Sequence, residues 1–175
     1  MNYPEIFKKC IAVVLKSEGG WVDDPHDTGG ETNYGIADAG DGQIDGKADL
    51  DGDGTGDVLI KQMTRDQAIE AYYLRYWRKM KLQDIHQEEA ILQVFDFGIN
   101  AGMRTAIRIA QKIAGATVDG LPGPETTARI NEYPGDFLAE YKQARKEYYY
   151  ALVRHKKENE RFIKGWINRV DKTRF

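Results

Sequence analysis

The stretch from Ser17 to Ile36, SEGGWVDDPHDTGGETNYGI, joins an apolar helical segment to a loop rich in glycine and carboxylates. Glu18 stands where the apolar periodicity predicts that a first helix ends, at about Ser17. An apolar helix wall and the negative end of the helix dipole both raise the pKa of a carboxyl group at that place. Asp27, nine residues later in a polar loop, is expected to stay ionised.

Two carboxyl groups whose pKa values differ are what the cleavage of a glycosidic bond requires. Glu18 would protonate the leaving oxygen, and Asp27 would position water or stabilise the developing cation. Thr32 adds a hydroxyl that can position a water, and Trp21 and Tyr34 offer ring faces for stacking on sugars. The alternative for Glu18 is a charge that merely ends a helix.

Helical periodicity dominates outside this stretch and predicts a mainly α fold. Residues 20–63 are the exception, since they contain many glycines and aspartates and predict loops with short strands at most. Thr64 and Gln67 form a predicted capping box, and Pro124 suits the first turn of another helix. A break near Gly98 to Gly102 separates two helical segments. A long amphipathic helix is predicted from Phe137 to Leu152, with Tyr141, Ala144 and Tyr148 on its apolar stripe.

Length and composition exclude several classes of protein. The chain has 175 residues, 41% of them hydrophobic, which favours one compact domain with a small second lobe. No apolar run approaches the roughly 20 residues of a membrane helix, and no secretory signal peptide or glycine-rich nucleotide fingerprint is recognisable. The single cysteine, Cys10, excludes an intrachain disulfide and a cysteine-based zinc site.

The net charge of −3 is unevenly distributed. Residues 20–60 carry eleven acidic groups and one lysine, whereas residues 137–175 carry eleven basic and five acidic groups. A basic carboxy-terminal region is typical of proteins that bind an anionic partner, which can be nucleic acid, a membrane surface or cell wall. A solvated helix face rich in lysine and arginine explains the same pattern equally well.

The motif from Glu18-Gly-Gly-Trp21 to Thr32-Asn-Tyr-Gly-Ile36 resembles that of glycoside hydrolase family 108. The members of this family are lysozyme-like N-acetylmuramidases, typically phage endolysins. The family's catalytic glutamate falls on Glu18. The spacing is also similar to the Glu, Asp and Thr triad of T-even phage lysozymes, although Thr32 lies one residue closer to Asp27 than there. The resemblance implies a mainly α, lysozyme-like fold of class α+β, in which a helical lobe and a small loop and β-hairpin lobe flank a cleft.

The resemblance continues through Val94-Phe-Asp-Phe-Gly-Ile-Asn-Ala-Gly102 and Asp119-Gly-Leu-Pro-Gly-Pro-Glu-Thr126, which are similar to the peptidoglycan-binding region that accompanies the family. It implies a catalytic region over residues 1–90 and a helical peptidoglycan-binding region over 91–175, packed into the same globule. Asp96 and Asn100 are the candidate substrate-binding residues of the second region. Capping or bracing of helices is the alternative for both.

An aspartate-rich insertion, residues 38–57, departs from the family pattern. Its spacing fits an EF-hand calcium loop, and its candidate ligands are Asp49, Asp51, Asp53, Thr55 and Asp57. The twelfth position is Ile60 in place of the usual glutamate, and Asp41 or Asp45 could complete the coordination sphere. The alternatives are a structural Ca²⁺ and a flexible, solvated acidic hairpin; the chemistry itself needs no cofactor.

The predicted function is therefore that of a lysozyme-type endolysin, which hydrolyses the β-1,4 bond between N-acetylmuramic acid and N-acetylglucosamine. Peptidoglycan is the expected partner of a monomeric protein, without nucleic acid or stable membrane insertion. The family implies synthesis in the host cytoplasm and release to the wall through a holin pore. The alternatives are a non-catalytic wall-binding module and a chitinase-like enzyme or transglycosylase.

Overall fold

The computed structural model of the protein describes residues 2–17, 31–37 and 45–175. It divides the chain into two compact units, Met1–Lys79 and Met80–Phe175. In the described residues the fold is mainly α, with two small antiparallel hairpins, so the predicted fold class is confirmed. None of the helices in this part of the chain combines the length and apolarity needed to cross a membrane.

In its described residues the first unit contains helices and the two hairpins in this order: α1 (Glu5–Ser17), β1 (Thr32–Asn33), β2 (Ile36–Ala37), β3 (Lys47–Ala48), β4 (Val58–Leu59), a 3₁₀ turn (Ile60–Gln62) and α2 (Arg65–Tyr72). A π-helical segment, Tyr73–Trp77, continues α2, and the short α3 (Arg78–Met80) follows it. Strand β1 pairs with β2, and β3 pairs with β4.

Helix α1 ends at Ser17, as its sequence predicts. Four residues of its predicted apolar face are buried: Phe7, Cys10, Ile11 and Val14. The ring of Phe7 meets those of Tyr73 and Trp77, with centroids 5.1 and 5.3 Å apart. The π-helical segment therefore supplies the aromatic wall on which α1 packs.

Helix α2 begins at the predicted capping box. The Thr64 hydroxyl accepts the N–H of Gln67 at 3.3 Å, and Gln67 Oε1 accepts the N–H of Thr64 at 2.8 Å. Two of the N–H groups that a helix start leaves unpaired are thereby satisfied.

The second unit is built from five helices, α4 (Glu88–Ala101), α5 (Met103–Ala114), α6 (Pro124–Asn131), α7 (Phe137–His155) and α8 (Glu160–Lys172), with a 3₁₀ turn (Lys157–Asn159) before the last. Gly102 separates α4 from α5 with φ +90°, a left-handed conformation that favours glycine. Pro124 occupies the first turn of α6. Both boundaries lie where the sequence predicts them.

The buried face of α7 differs from the predicted stripe. Phe137, Tyr141, Arg145 and Tyr149 are buried, at a regular spacing of four residues, whereas Tyr148 is only half-buried. The predicted stripe includes Phe137 and Tyr141 but omits Arg145 and Tyr149, because an arginine interrupts the apolar pattern and is buried only when a partner compensates its charge.

Candidate functional site

Three residues of the predicted site, Glu18, Trp21 and Asp27, lie outside the described residues. The structure describes the chain on both sides of them: helix α1 ends at Ser17, immediately before Glu18, and the β1–β2 hairpin begins at Thr32. The hairpin contains two further predicted site residues, Thr32 and Tyr34.

The β1–β2 hairpin is anchored by its own polar groups. The buried side chain of Asn33 donates through Nδ2 to the carbonyls of Ile60, at 2.9 Å, and Met63, at 3.4 Å. The buried Tyr72 donates its hydroxyl to the carbonyl of Tyr34 at 2.9 Å. These bonds join the hairpin to the 3₁₀ turn and to α2, and they satisfy buried polar groups.

The turn of this hairpin explains part of the motif. Tyr34 and Gly35 have φ +50° and +77°, the pair of positive angles found in a type I′ turn, which matches the twist of the strands. Tyr34 and Thr32 are both half-buried, and Thr32 pairs with Ala37 across the hairpin. The hairpin therefore fixes the backbone of Thr32, which follows Asp27 by five residues in the sequence.

The aspartate-rich loop connects β3 to β4 and is organised around Asp49. The buried Asp49 carboxylate accepts three backbone N–H groups, those of Asp51 (3.1 Å), Gly52 (2.6 Å) and Gly54 (3.0 Å). Gly54 has φ +90° at the sixth position of the loop, where calcium loops need glycine for a sharp turn. The loop thus has the backbone turn that its sequence predicts.

Hydrogen bonds and one nearby arginine set the protonation of Asp49 in this loop. Burial raises the pKa of Asp49, but the N–H groups of Gly52 and Gly54 and the charge of Arg75 outweigh burial and lower that pKa below its ordinary value. Arg75 also donates to the Asp49 carbonyl at 2.9 Å. Asp49 is therefore an ionised group held by hydrogen bonds.

Of the five predicted metal ligands, the structure brings three together. Carboxylate oxygens of Asp49, Asp51 and Asp57 lie within 4.8 Å of one another. Asp53 Oδ1 accepts the N–H of Thr55 at 2.8 Å, and neither of these two residues belongs to that group within the described chain. The twelfth position, Ile60, is fully buried and supplies no ligand.

Asp96, a predicted substrate-binding residue, lies at the centre of a buried ion-pair network. Its carboxylate contacts Arg145 Nη2 at 2.6 Å, and Arg169 through Nε at 3.0 Å and Nη2 at 2.9 Å. Arg145 also donates to the side chain of Gln93, whose amide nitrogen donates to the Thr173 carbonyl at 2.7 Å. The network joins α4, α7 and α8, so the described contacts of Asp96 are those of a brace.

Asn100, the other predicted substrate-binding residue, donates through Nδ2 to the Asp96 carbonyl one turn earlier in α4, at 2.7 Å. Sugar contact by these two residues stays a prediction. The partners of Asp96, Arg145 and Arg169, were not identified from the sequence. The signal that could have found Arg145 is its place midway between the buried Tyr141 and Tyr149.

Comparison with known proteins decides the family. The profile of the family described as Glycosyl hydrolase 108 matches residues 11–102, more than half of the chain. The chain belongs to glycosyl hydrolase family 108. A second profile, described as Predicted Peptidoglycan domain, matches residues 105–171 of this family 108 protein. It is a glycoside hydrolase that acts on peptidoglycan.

The chain is also similar to a solved structure. The family 108 chain is similar to the structure of Brucella abortus SagA, with a TM-score of 0.74 and 29% sequence identity over 95% of this chain and 90% of that chain. No curated protein matches it significantly.

Proposed function

We propose that the protein is an N-acetylmuramidase, which hydrolyses the β-1,4 bond between N-acetylmuramic acid and N-acetylglucosamine with Glu18 as general acid. The observation that supports this proposal best is the family 108 match, because residues 11–102 include the whole stretch from Glu18 to Ile36. Residues 1–90 would provide catalysis, and residues 91–175 would bind the wall.

The end of helix α1 provides the physical reason for the role of Glu18. The helix ends at Ser17, so the next residue in the chain follows its unpaired terminal carbonyls. These carbonyls disfavour a negative charge, which raises a carboxyl pKa toward the range that a general acid needs. Asp27 would position water or stabilise the oxocarbenium-like transition state, and the Thr32 hydroxyl would assist.

The test is release of new reducing ends from purified peptidoglycan. Glu18→Gln should lower the rate by more than about a hundredfold, because the amide cannot donate the catalytic proton. Glu31→Gln, which removes another glutamate of the same stretch, is the matched control and should retain the rate. Normal lysis by a folded Glu18→Gln protein would contradict the proposal and favour a wall-binding module.

The second carboxylate and the reaction type are tested separately. Asp27→Asn should lower the rate more than about tenfold, and a smaller loss would leave Asp27 a structural residue. Mass spectrometry of the products should find reducing muramic acid ends. Anhydro-muramic ends would indicate a transglycosylase instead.

We also propose that the aspartate-rich loop binds a structural Ca²⁺ through the carboxylates of Asp49, Asp51 and Asp57, with Asp53 and Thr55 completing the shell. Oxygen ligands at these spacings suit a hard cation. Melting temperature with Ca²⁺ and with a chelator tests this, because an ion that binds the native state raises its stability. Equal melting temperatures would favour the solvated hairpin, neutralised by Arg75.

A further inference from the structure

A ladder of aromatic rings runs from the core of the second unit to its surface. The buried Tyr149 stacks on Trp166 with centroids 5.0 Å apart and planes at 21°. The half-buried Trp166 in turn meets Phe162 at 5.7 Å and 32°. Phe162, the last ring, is 44% exposed. The ladder therefore holds an exposed phenyl ring in place at the surface of α8.

Basic side chains lie on and just before the helix that carries this exposed ring. The guanidinium of Arg161 lies 4.6 Å from the centre of the Phe162 ring. Residues 154–164 contain five basic and two acidic side chains. The basic ones are all exposed, and within residues 45–175 none of them lies in an ion pair. They are Arg154, Lys156, Lys157, Arg161 and Lys164.

We infer that this surface, the α7–α8 corner formed by Arg154, Lys157, Arg161, Phe162 and Trp166, binds the peptidoglycan strand. The inference rests on the proposed function. The corner would bind the substrate of that reaction at a place distant from the bond that is hydrolysed. The whole corner lies within residues 105–171, which match the peptidoglycan domain profile.

Charge complementarity is the first reason for this occupant. The stem peptides of peptidoglycan carry carboxylates, and unpaired guanidinium and ammonium groups at the corner can pair with them. The exposed ring is the second reason, since the apolar face of a pyranose packs on an aromatic side chain. Because stacking on Trp166 already orders Phe162, little conformational entropy is lost when a sugar binds.

The experiment measures sedimentation with purified sacculi in the Glu18→Gln background, where the substrate is not digested. Arg161→Gln with Phe162→Ala should weaken binding about tenfold, the usual effect of truncating an aromatic and arginine anchor. Arg174→Gln with Phe175→Ala is the matched control, because Phe175 is 47% exposed and also follows an exposed arginine. The control should bind within about twofold of the parent.

Two further arms identify the ligand. Glycan strands stripped of their stem peptides should bind the parent more weakly than intact sacculi, and added salt should weaken binding to sacculi. Vesicles of anionic phospholipid should not sediment the parent.

The inference would be overturned if both double variants lost the same amount of sacculus binding. It would also be overturned if the variant at Arg161 and Phe162 lost none. Sedimentation with vesicles that depends on Arg161 and Phe162, with sacculus binding intact, would also overturn it in favour of a membrane surface. Failure of the proposed function is distinguishable, because it appears as absent reducing ends from the protein with Glu18 intact. Corner-dependent binding without such release would leave the corner a wall-binding surface.

Discussion

Asp96→Ala should be among the most destabilising substitutions in the second unit. The Arg145 side chain is 0% exposed, and its Nη2 lies 2.6 Å from the Asp96 carboxylate. Without that carboxylate the buried guanidinium keeps Gln93 as the hydrogen-bond partner of Nη1, and Arg169 loses its bonds to Asp96 as well. Removal of one member of a buried ion pair costs about 3–5 kcal/mol. We expect a loss of this size in the free energy of unfolding.

The order of the variants by free energy of unfolding is more diagnostic than the loss measured for any one of them. Arg145→Met should cost only about 2 kcal/mol, because Asp96 keeps both contacts with Arg169 and because methionine fills an apolar site well. The double variant, Asp96→Ala with Arg145→Met, should be more stable than Asp96→Ala alone by at least about 1 kcal/mol. The reason is that the buried guanidinium left without its carboxylate is then absent. Urea unfolding followed by Trp166 fluorescence, in a background without the other tryptophans, measures each value.

A surface ion pair between α7 and α8 is the control. Lys146 Nζ lies 2.7 Å from Asp171, and the two side chains are 28% and 51% exposed. Lys146→Ala should cost less than about 1 kcal/mol. If it costs as much as Asp96→Ala, or if the double variant is the least stable protein, burial of the pair is not what sets its energy.

The same proteins decide the predicted role of Asp96 in binding. A double variant of Asp96 and Arg145 that regains stability and sediments with sacculi like the parent would assign Asp96 to bracing alone. A stable double variant that no longer binds would assign it to the substrate as well.

Three smaller perturbations test other parts of the chain. Tyr72→Phe should lower the free energy of unfolding by about 1 kcal/mol and slow wall hydrolysis. Tyr141→Phe also removes a hydrogen bond from a hydroxyl to a backbone carbonyl, and it should cost similar stability but leave the rate unchanged. Because hydrogen bonds lower the pKa of Asp49 in the folded protein, its contribution to stability is complete above the ordinary value of 3.8 and is lost as the pH falls below it. Asp49→Asn should therefore flatten acid unfolding in this range. Gly102→Ala should cost about 1–2 kcal/mol in thermal melts, because alanine is strained at φ +90°, whereas Gly123→Ala, at φ −163°, should be nearly neutral.

Features set by neighbouring residues could be predicted from the sequence. The end of α1 at Ser17, the capping box at Thr64, the break at Gly102 and the start of α6 at Pro124 all depend on local backbone preferences. A side chain and its near neighbours suffice to predict them.

Features set by distant partners could not be predicted. Asn33 belongs to the family motif, but its anchoring role depends on carbonyls 27 and 30 residues later. Arg145 is charged, and the carboxylate of Asp96, 49 residues earlier, compensates its charge in the buried site. The site around Glu18 stays a prediction that depends on the family motif, since periodicity alone contains no information about chemistry.

The reach of the Asp96 network along the chain has a consequence for biosynthesis. Its contacts connect α4 with residues 49 to 80 positions later, up to Thr173. While the ribosome is still adding α8, the carboxylate on α4 lacks its second arginine, and Gln93 lacks the carbonyls of Val170 and Thr173. A nascent chain stalled before α8 should therefore remain sensitive to proteases in its second unit, and resistance should arise in a single late step.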